Sequence, residues 1–131
     1  AAFGATGVLL SPGCSDPLYR KAVRTSTGAS LRVPYAVVDD WPAGLEGLRE
    51  RRWRLVALTP DAEAIDIREL RDEGQASSGV ALVLGAEGEG LSAEAIAMAD
   101  ARVRIRIEPA VDSLNVATAA AIALHHLLPS P

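Results

Sequence analysis

Apolar residues fall in short runs along this chain, separated by glycine, proline and charged residues. Gly7-Val8-Leu9-Leu10, Val33–Val38, Leu55-Val56-Ala57-Leu58 and Val80–Leu84 are runs of strand length with little alternation. That is the pattern of strands buried on both faces of a parallel sheet. Pro34 limits ladder pairing at the start of the second run. Val103–Ile107 alternates Val, Arg, Ile, Arg, Ile and predicts a strand with one apolar face. Helical patterns lie between the runs. Pro17 to Thr25 predicts a helix capped by Asp16, with Pro17 at its first position and Arg20, Lys21 and Arg24 outward. Trp41–Arg52 predicts an amphipathic helix with Leu45 and Leu48 inward. Asp61–Ser78 is polar, with a short helix around Ile67–Arg71. Ala-rich Asn115–Leu128 is apolar on most sides and predicts a buried helix capped by Ser113 or Asp112. Strands alternating with helices predict an α/β fold: one parallel sheet with helices on both faces. No internal repeat or domain boundary is visible.

Leu82–Ser92, LVLGAEGEGLS, is the stretch with the strongest local character. A strand stops at Gly85, a turn carries Glu87, Gly88, Glu89 and Gly90, and Ser92 is positioned to cap a helix over Ala93–Ala99. Two readings stand side by side. Glycine after a strand serves turn geometry, and glycine also lets backbone amides approach a ligand at the carboxyl end of a parallel strand. The run is neither GxGxxG nor a nucleotide phosphate loop, since no Lys-Ser/Thr follows. Its carboxylates disfavour phosphate and favour hydroxyl, amine or cationic groups.

Composition narrows the class. The 131 residues suffice for one domain, and 49% hydrophobic with 23% charged residues is the balance of a globular protein. Aromatics are only 4%, so Val, Leu, Ile and Ala must fill the core. A net charge of −4 argues against nonspecific polyanion binding while allowing a local basic patch. Arg49, Arg51, Arg52 and Arg54 complement a helix C-terminus or contact RNA. The single Cys14 cannot form an internal disulfide, and a reducing, cytoplasmic compartment is expected. No apolar run spans a bilayer. Ala1-Ala2-Phe3-Gly4 lacks the basic region of a signal peptide, and the absence of Met leads to the expectation of a fragment. No metal is expected: His125 and His126 are adjacent and face different directions on a helix. No Ser occupies GxSxG. Chemistry is left to the strand ends at Thr59, Gly85–Gly90 and Ile105–Asn115.

LVLGAEGEGLS, followed by VRIRIEPAVDSLNVATAAAIAL, resembles the second and third motifs of the SpoU/TrmH branch of the SPOUT RNA methyltransferases. Ala2-Phe3-Gly4 is similar to the tail of the family's first motif. Ser11-Pro12-Gly13-Cys14-Ser15-Asp16-Pro17 and Lys21–Ala29 are similar to its SPG…DP…KAVRAS-x-GA region. The resemblance covers nearly the whole chain. It implies a catalytic domain over 1–131 whose first motif precedes Ala1, with a deep C-terminal trefoil knot. It implies S-adenosylmethionine as cofactor and methyl transfer to a ribose 2′-hydroxyl of rRNA or tRNA. It assigns Leu58, Thr59, Leu84, Gly85, Gly88, Ile105, Ile107, Ser113 and Leu114 to the cofactor. Glu87, Ser113 and Asn115 go to catalysis or site organisation, and Arg24 and Ser26 to RNA. A homodimer completes the picture.

Two departures accompany the resemblance. The first motif's Asn and Arg, the latter placed by the family at the ribose hydroxyl, are absent from the sequence. The third motif usually runs Ile-Pro-Met-x-Gly, whereas Ile105 is followed by Arg106-Ile107-Glu108-Pro109. A noncatalytic binding module and a small-molecule methyltransferase are the alternatives.

Overall fold

The computed structural model describes residues 1–70 and 78–128. The runs over Leu55–Leu58, Val80–Leu84 and Val103–Ile107 become neighbouring strands of one sheet. Its members are β3 (Trp53–Leu58), β4 (Ile65–Asp66), β5 (Gly79–Val83) and β6 (Ala101–Arg104), in the order β4-β6-β3-β5. All pairings are parallel, with Val56 opposite both Leu82 and Ala101. The two N-terminal runs form a separate parallel pair, β1 (Val8–Leu10) and β2 (Tyr35–Val37). There are therefore two parallel sheets where one was expected.

Successive strand residues point to opposite faces, and both faces of the four-stranded sheet are covered. Val56 and Val103 pack with Ile67 and Ala123 on one side, under the helix α4 (Val116–Leu127). Leu55 and Val83 pack with Leu45 on the other side, joined by Trp41, Leu48, Leu91 and Met98. Leu45 and Leu48 thus turn inward as their spacing predicts. They do so from a 3-10 turn (Ala43–Leu45) running into a short α2 (Glu46–Glu50), rather than from one long helix. Among the described residues no helix is long and apolar enough to cross a membrane.

Several boundaries move. The helix expected from Pro17 begins three residues later, as α1 (Arg20–Thr25). The Asp16 carboxylate accepts the Leu18 N–H at 2.8 Å, and the Tyr19 N–H bonds the Asp16 carbonyl at 3.0 Å. Asp16 therefore closes a turn ahead of the helix. β4 was not anticipated, because two residues carry no periodicity, and a 3-10 turn (Ile67–Glu69) replaces the helix near Ile67. The rest of that polar segment, 71–77, lies outside the described residues. β6 starts at Ala101 and stops at Arg104, so Ile105–Ile107 leave the ladder. Ser92 caps α3 (Ala93–Ala97), accepting the Ala95 N–H at 3.2 Å. α4 is less buried than expected: Ala123 is inaccessible but Ile122 is 40% exposed, since one side faces the sheet and the other does not.

Candidate active site

Parallel pairing puts the carboxyl ends of β3, β5 and β6 at one edge of the sheet, where three loops meet. The Thr59 N–H bonds the Val103 carbonyl at 2.9 Å, tying the loop after β3 to β6. Leu58 and Thr59 are half-buried there, as are Leu84, Gly85, Ile105, Ile107 and Leu114. The residues that the resemblance assigns to the cofactor therefore lie at the end of β3 (Leu58) or in these loops. Beside them an open cleft of about 370 Å³ is lined by Pro60, the 104–109 stretch, Val111 and Asp112.

The glycine loop closes on itself. Ala86 and Gly90 exchange N–H···O bonds of 3.2 and 3.0 Å, leaving Glu87, Gly88 and Glu89 at the tip. Gly88 has φ +90°, a conformation that favours glycine. The demand at Gly85 is steric: a Cβ there would sit 2.5 Å from the Leu91 nitrogen and 2.6 Å from Gly90 Cα. Its glycine is thus required by closure of the loop itself, a reason distinct from ligand approach.

Asn115 joins this loop to α4. Its Oδ1 accepts the Ala117 and Thr118 N–H groups at 2.9 and 3.3 Å, so Asn115, rather than Ser113 or Asp112, caps the helix. Its Nδ2 donates to Glu87 Oε1 at 3.2 Å. Two of the three predicted catalytic residues are therefore in direct contact, across 28 positions of sequence. Ser113 is exposed two residues earlier. The Arg104 Nε is buried without a hydrogen-bond partner among the described residues, and a buried donor of this kind calls for an acceptor.

Sequence reasoning missed an ionic cluster at the same edge. The Asp66 side chain is only 1% exposed and is gripped by Arg68 Nη2 at 2.6 Å and Arg106 Nε at 3.0 Å. It also accepts the Arg68 Nε and backbone N–H. The hydrogen bond from the Arg68 side chain, with that from its backbone, holds the Asp66 carboxyl well below the usual carboxylate range. The spacing Asp66-Ile67-Arg68 was the available signal, but it occurs on countless polar turns. Among the described residues no group of three His, Cys, Asp or Glu could hold a metal ion.

Arg24 and Ser26 lie elsewhere, in the connection from β1 to β2. Arg24 is exposed on α1 and shares a shallow cleft with Tyr19, Arg20, Lys21 and Thr25. The Ser26 hydroxyl is engaged in the helix C-terminal turn, donating to the Val23 carbonyl at 3.2 Å and accepting the Ser30 N–H at 3.3 Å.

The chain is 45% identical over 125 residues to an uncharacterized tRNA/rRNA methyltransferase of Mycobacterium tuberculosis, covering 95% of this chain and 43% of that protein. An AdoMet-bound rRNA methyltransferase from Sinorhizobium meliloti superposes with a TM-score of 0.84 at 29% identity, over 96% of this chain and 46% of that one. An RNA 2′-O ribose methyltransferase of known structure superposes with a TM-score of 0.79 at 32% identity, over the same shares. This chain thus spans less than half the length of each. Residues 1–125 match the SpoU rRNA Methylase family, and the chain belongs to that family.

Proposed function

We propose that this chain is most of the catalytic domain of an RNA methyltransferase that uses S-adenosylmethionine to methylate a ribose 2′-hydroxyl of rRNA or tRNA. The observation that carries the reading is the Asn115–Glu87 hydrogen bond, which ties the glycine loop to the start of α4. The family membership and the AdoMet-bound and 2′-O ribose neighbours support it.

The residues present fit such a cofactor. Half-buried Leu58, Leu84, Ile105, Ile107 and Leu114 offer apolar walls, Thr59, Gly85, Gly88 and Ser113 offer backbone groups, and Arg104 brings a buried unpaired donor. When bound, the cofactor supplies an electrophilic methyl whose bond to sulfur breaks as the ribose oxygen bonds to carbon, releasing S-adenosylhomocysteine. The three loops position the reactants in line, which accounts for much of the acceleration. Glu87, oriented by Asn115, organises a neighbouring arginine of the kind the family's first motif carries; an ordinary carboxylate is too weak a base to act alone. The 2′-hydroxyl proton leaves to solvent. Arg24, with Arg20 and Lys21 beside it, meets RNA phosphates. A deep C-terminal trefoil knot with the last helix tucked through a loop, assembly as a homodimer, and a cytoplasmic setting belong to the same reading.

Two measurements test it. Calorimetry with S-adenosylhomocysteine should give saturable heat; a folded chain that gives none removes the cofactor. With the first motif present, methylated RNA should resist alkaline cleavage at the modified ribose. Cofactor binding without that resistance would point to a binding module or to another methyl acceptor.

A further inference from the structure

The alternation of Val103–Ile107 places Arg104 and Arg106 on one face of a strand that should run through Ile107. The ladder instead ends at Arg104, and Arg106 turns to Asp66. Arg106 lies in the wall of the 370 Å³ cleft, while Asp66 lies on β4, where its register partner is Arg104. We propose that Asp66 is a positioning residue: through Arg106 it holds the loop after β6 in the shape that accepts the cofactor.

A carboxylate this buried must be compensated. Oδ1 takes Arg68 N–H and Nε, and Oδ2 takes Arg68 Nη2 and Arg106 Nε, so its acceptor capacity is engaged by two arginines. Arg106 also lies 3.8 Å from Glu69. Nothing about Asp66 needs Arg106 in particular for solvation, because Arg68 alone supplies three donors to it. The second arginine connects a fixed, buried anion to the first residues of the cleft wall. The third-motif pattern has proline where Arg106 stands, and a proline ring restrains φ covalently. Here an ion pair to the neighbouring strand restrains the same stretch, and a preformed loop spares the ligand the cost of ordering it.

The inference rests on the cofactor reading, and its test separates the two. In the full chain, Arg106→Gln and Asp66→Asn should each weaken S-adenosylhomocysteine binding about tenfold, as expected for loss of preorganisation. The double variant should bind no more weakly than Asp66→Asn alone, since both act through one contact. Arg68→Gln, which removes the two guanidinium donors to Asp66 and leaves the backbone N–H of residue 68 and the Arg106 pair, should lower the melting temperature and keep the wild-type Kd. The Arg106 side chain is 58% exposed, so Arg106→Gln should melt near wild type and remains informative even where Asp66→Asn unfolds. Wild-type affinity in Arg106→Gln overturns the proposal. Absence of binding in the wild type overturns the cofactor reading and this one with it.

Discussion

At the scale of single residues, Asn115 does two jobs that one substitution can separate. Asn115→Asp keeps the oxygen that caps α4, and a carboxylate also suits a helix N-terminus. It removes the donor to Glu87 and sets two carboxylates together. We expect Asn115→Asp to melt near wild type and to lose about a hundredfold in single-turnover methyl transfer, the scale of a mispositioned reactant. Asn115→Ala should lose that rate and also about 0.5–2 kcal/mol of stability, because the cap goes too. A wild-type rate in Asn115→Asp would leave Asn115 as a cap alone. Asp66 makes a different prediction. Its folded-state carboxyl titrates below the ordinary value of 3.8, so the unfolded chain takes up the proton first. The stability it contributes is complete above pH ~4 and is lost as pH falls toward the folded-state value. Asp66→Asn should therefore flatten the acid side of a plot of stability against pH below that point and leave its neutral side parallel.

Among elements, the glycine loop and α3 are neighbours in sequence with separable contributions. Gly85→Ala forces a Cβ into the Gly90–Leu91 backbone, so the loop must open; both stability and cofactor affinity should fall. Gly88→Ala meets no atom within 4 Å and bears only the strain of a positive φ, about 1–2 kcal/mol, with its contacts otherwise intact. Ser92→Ala removes the cap of α3 and should cost about 1 kcal/mol while leaving Kd unchanged. If Gly85→Ala binds cofactor as the wild type does, closure of the loop is not what shapes the site.

For the whole molecule, the surface is informative. Val8, Leu9, Tyr35 and Val37 are 39–55% exposed on the two-stranded sheet, and Ile122 is 40% exposed on α4. Apolar surface gathered on a sheet is commonly covered by a partner. Sedimentation at micromolar concentration should give twice the chain mass of 13.7 kDa. A monomer across that range would count against the homodimer.

Features that depend on neighbours a few positions apart could be read from the chain: the apolar runs, the Ser92 cap, the inward Leu45 and Leu48, and the strand-turn-helix of Gly85–Ser92. Periods of two and 3.6 and a side chain reaching its own backbone are short-range physics, and no distant residue is needed to produce them. The family resemblance, too, lay in contiguous motifs. The folded chain settled what depends on alignment between strands. Asn115 caps α4 locally, but the contact of its amide with Glu87, far away in sequence, exists only once the glycine loop and the start of α4 meet. β6 ends at Arg104 and Arg106 turns to Asp66 near the neighbouring β4, where the alternation alone would carry the strand to Ile107. Gly85 is glycine because Gly90 and Leu91 return against it. The separate β1–β2 pair likewise reflects which strand edges meet. A hydrogen bond or clash between distant residues exists only after strand order and register are set, and local composition carries too little information to set them.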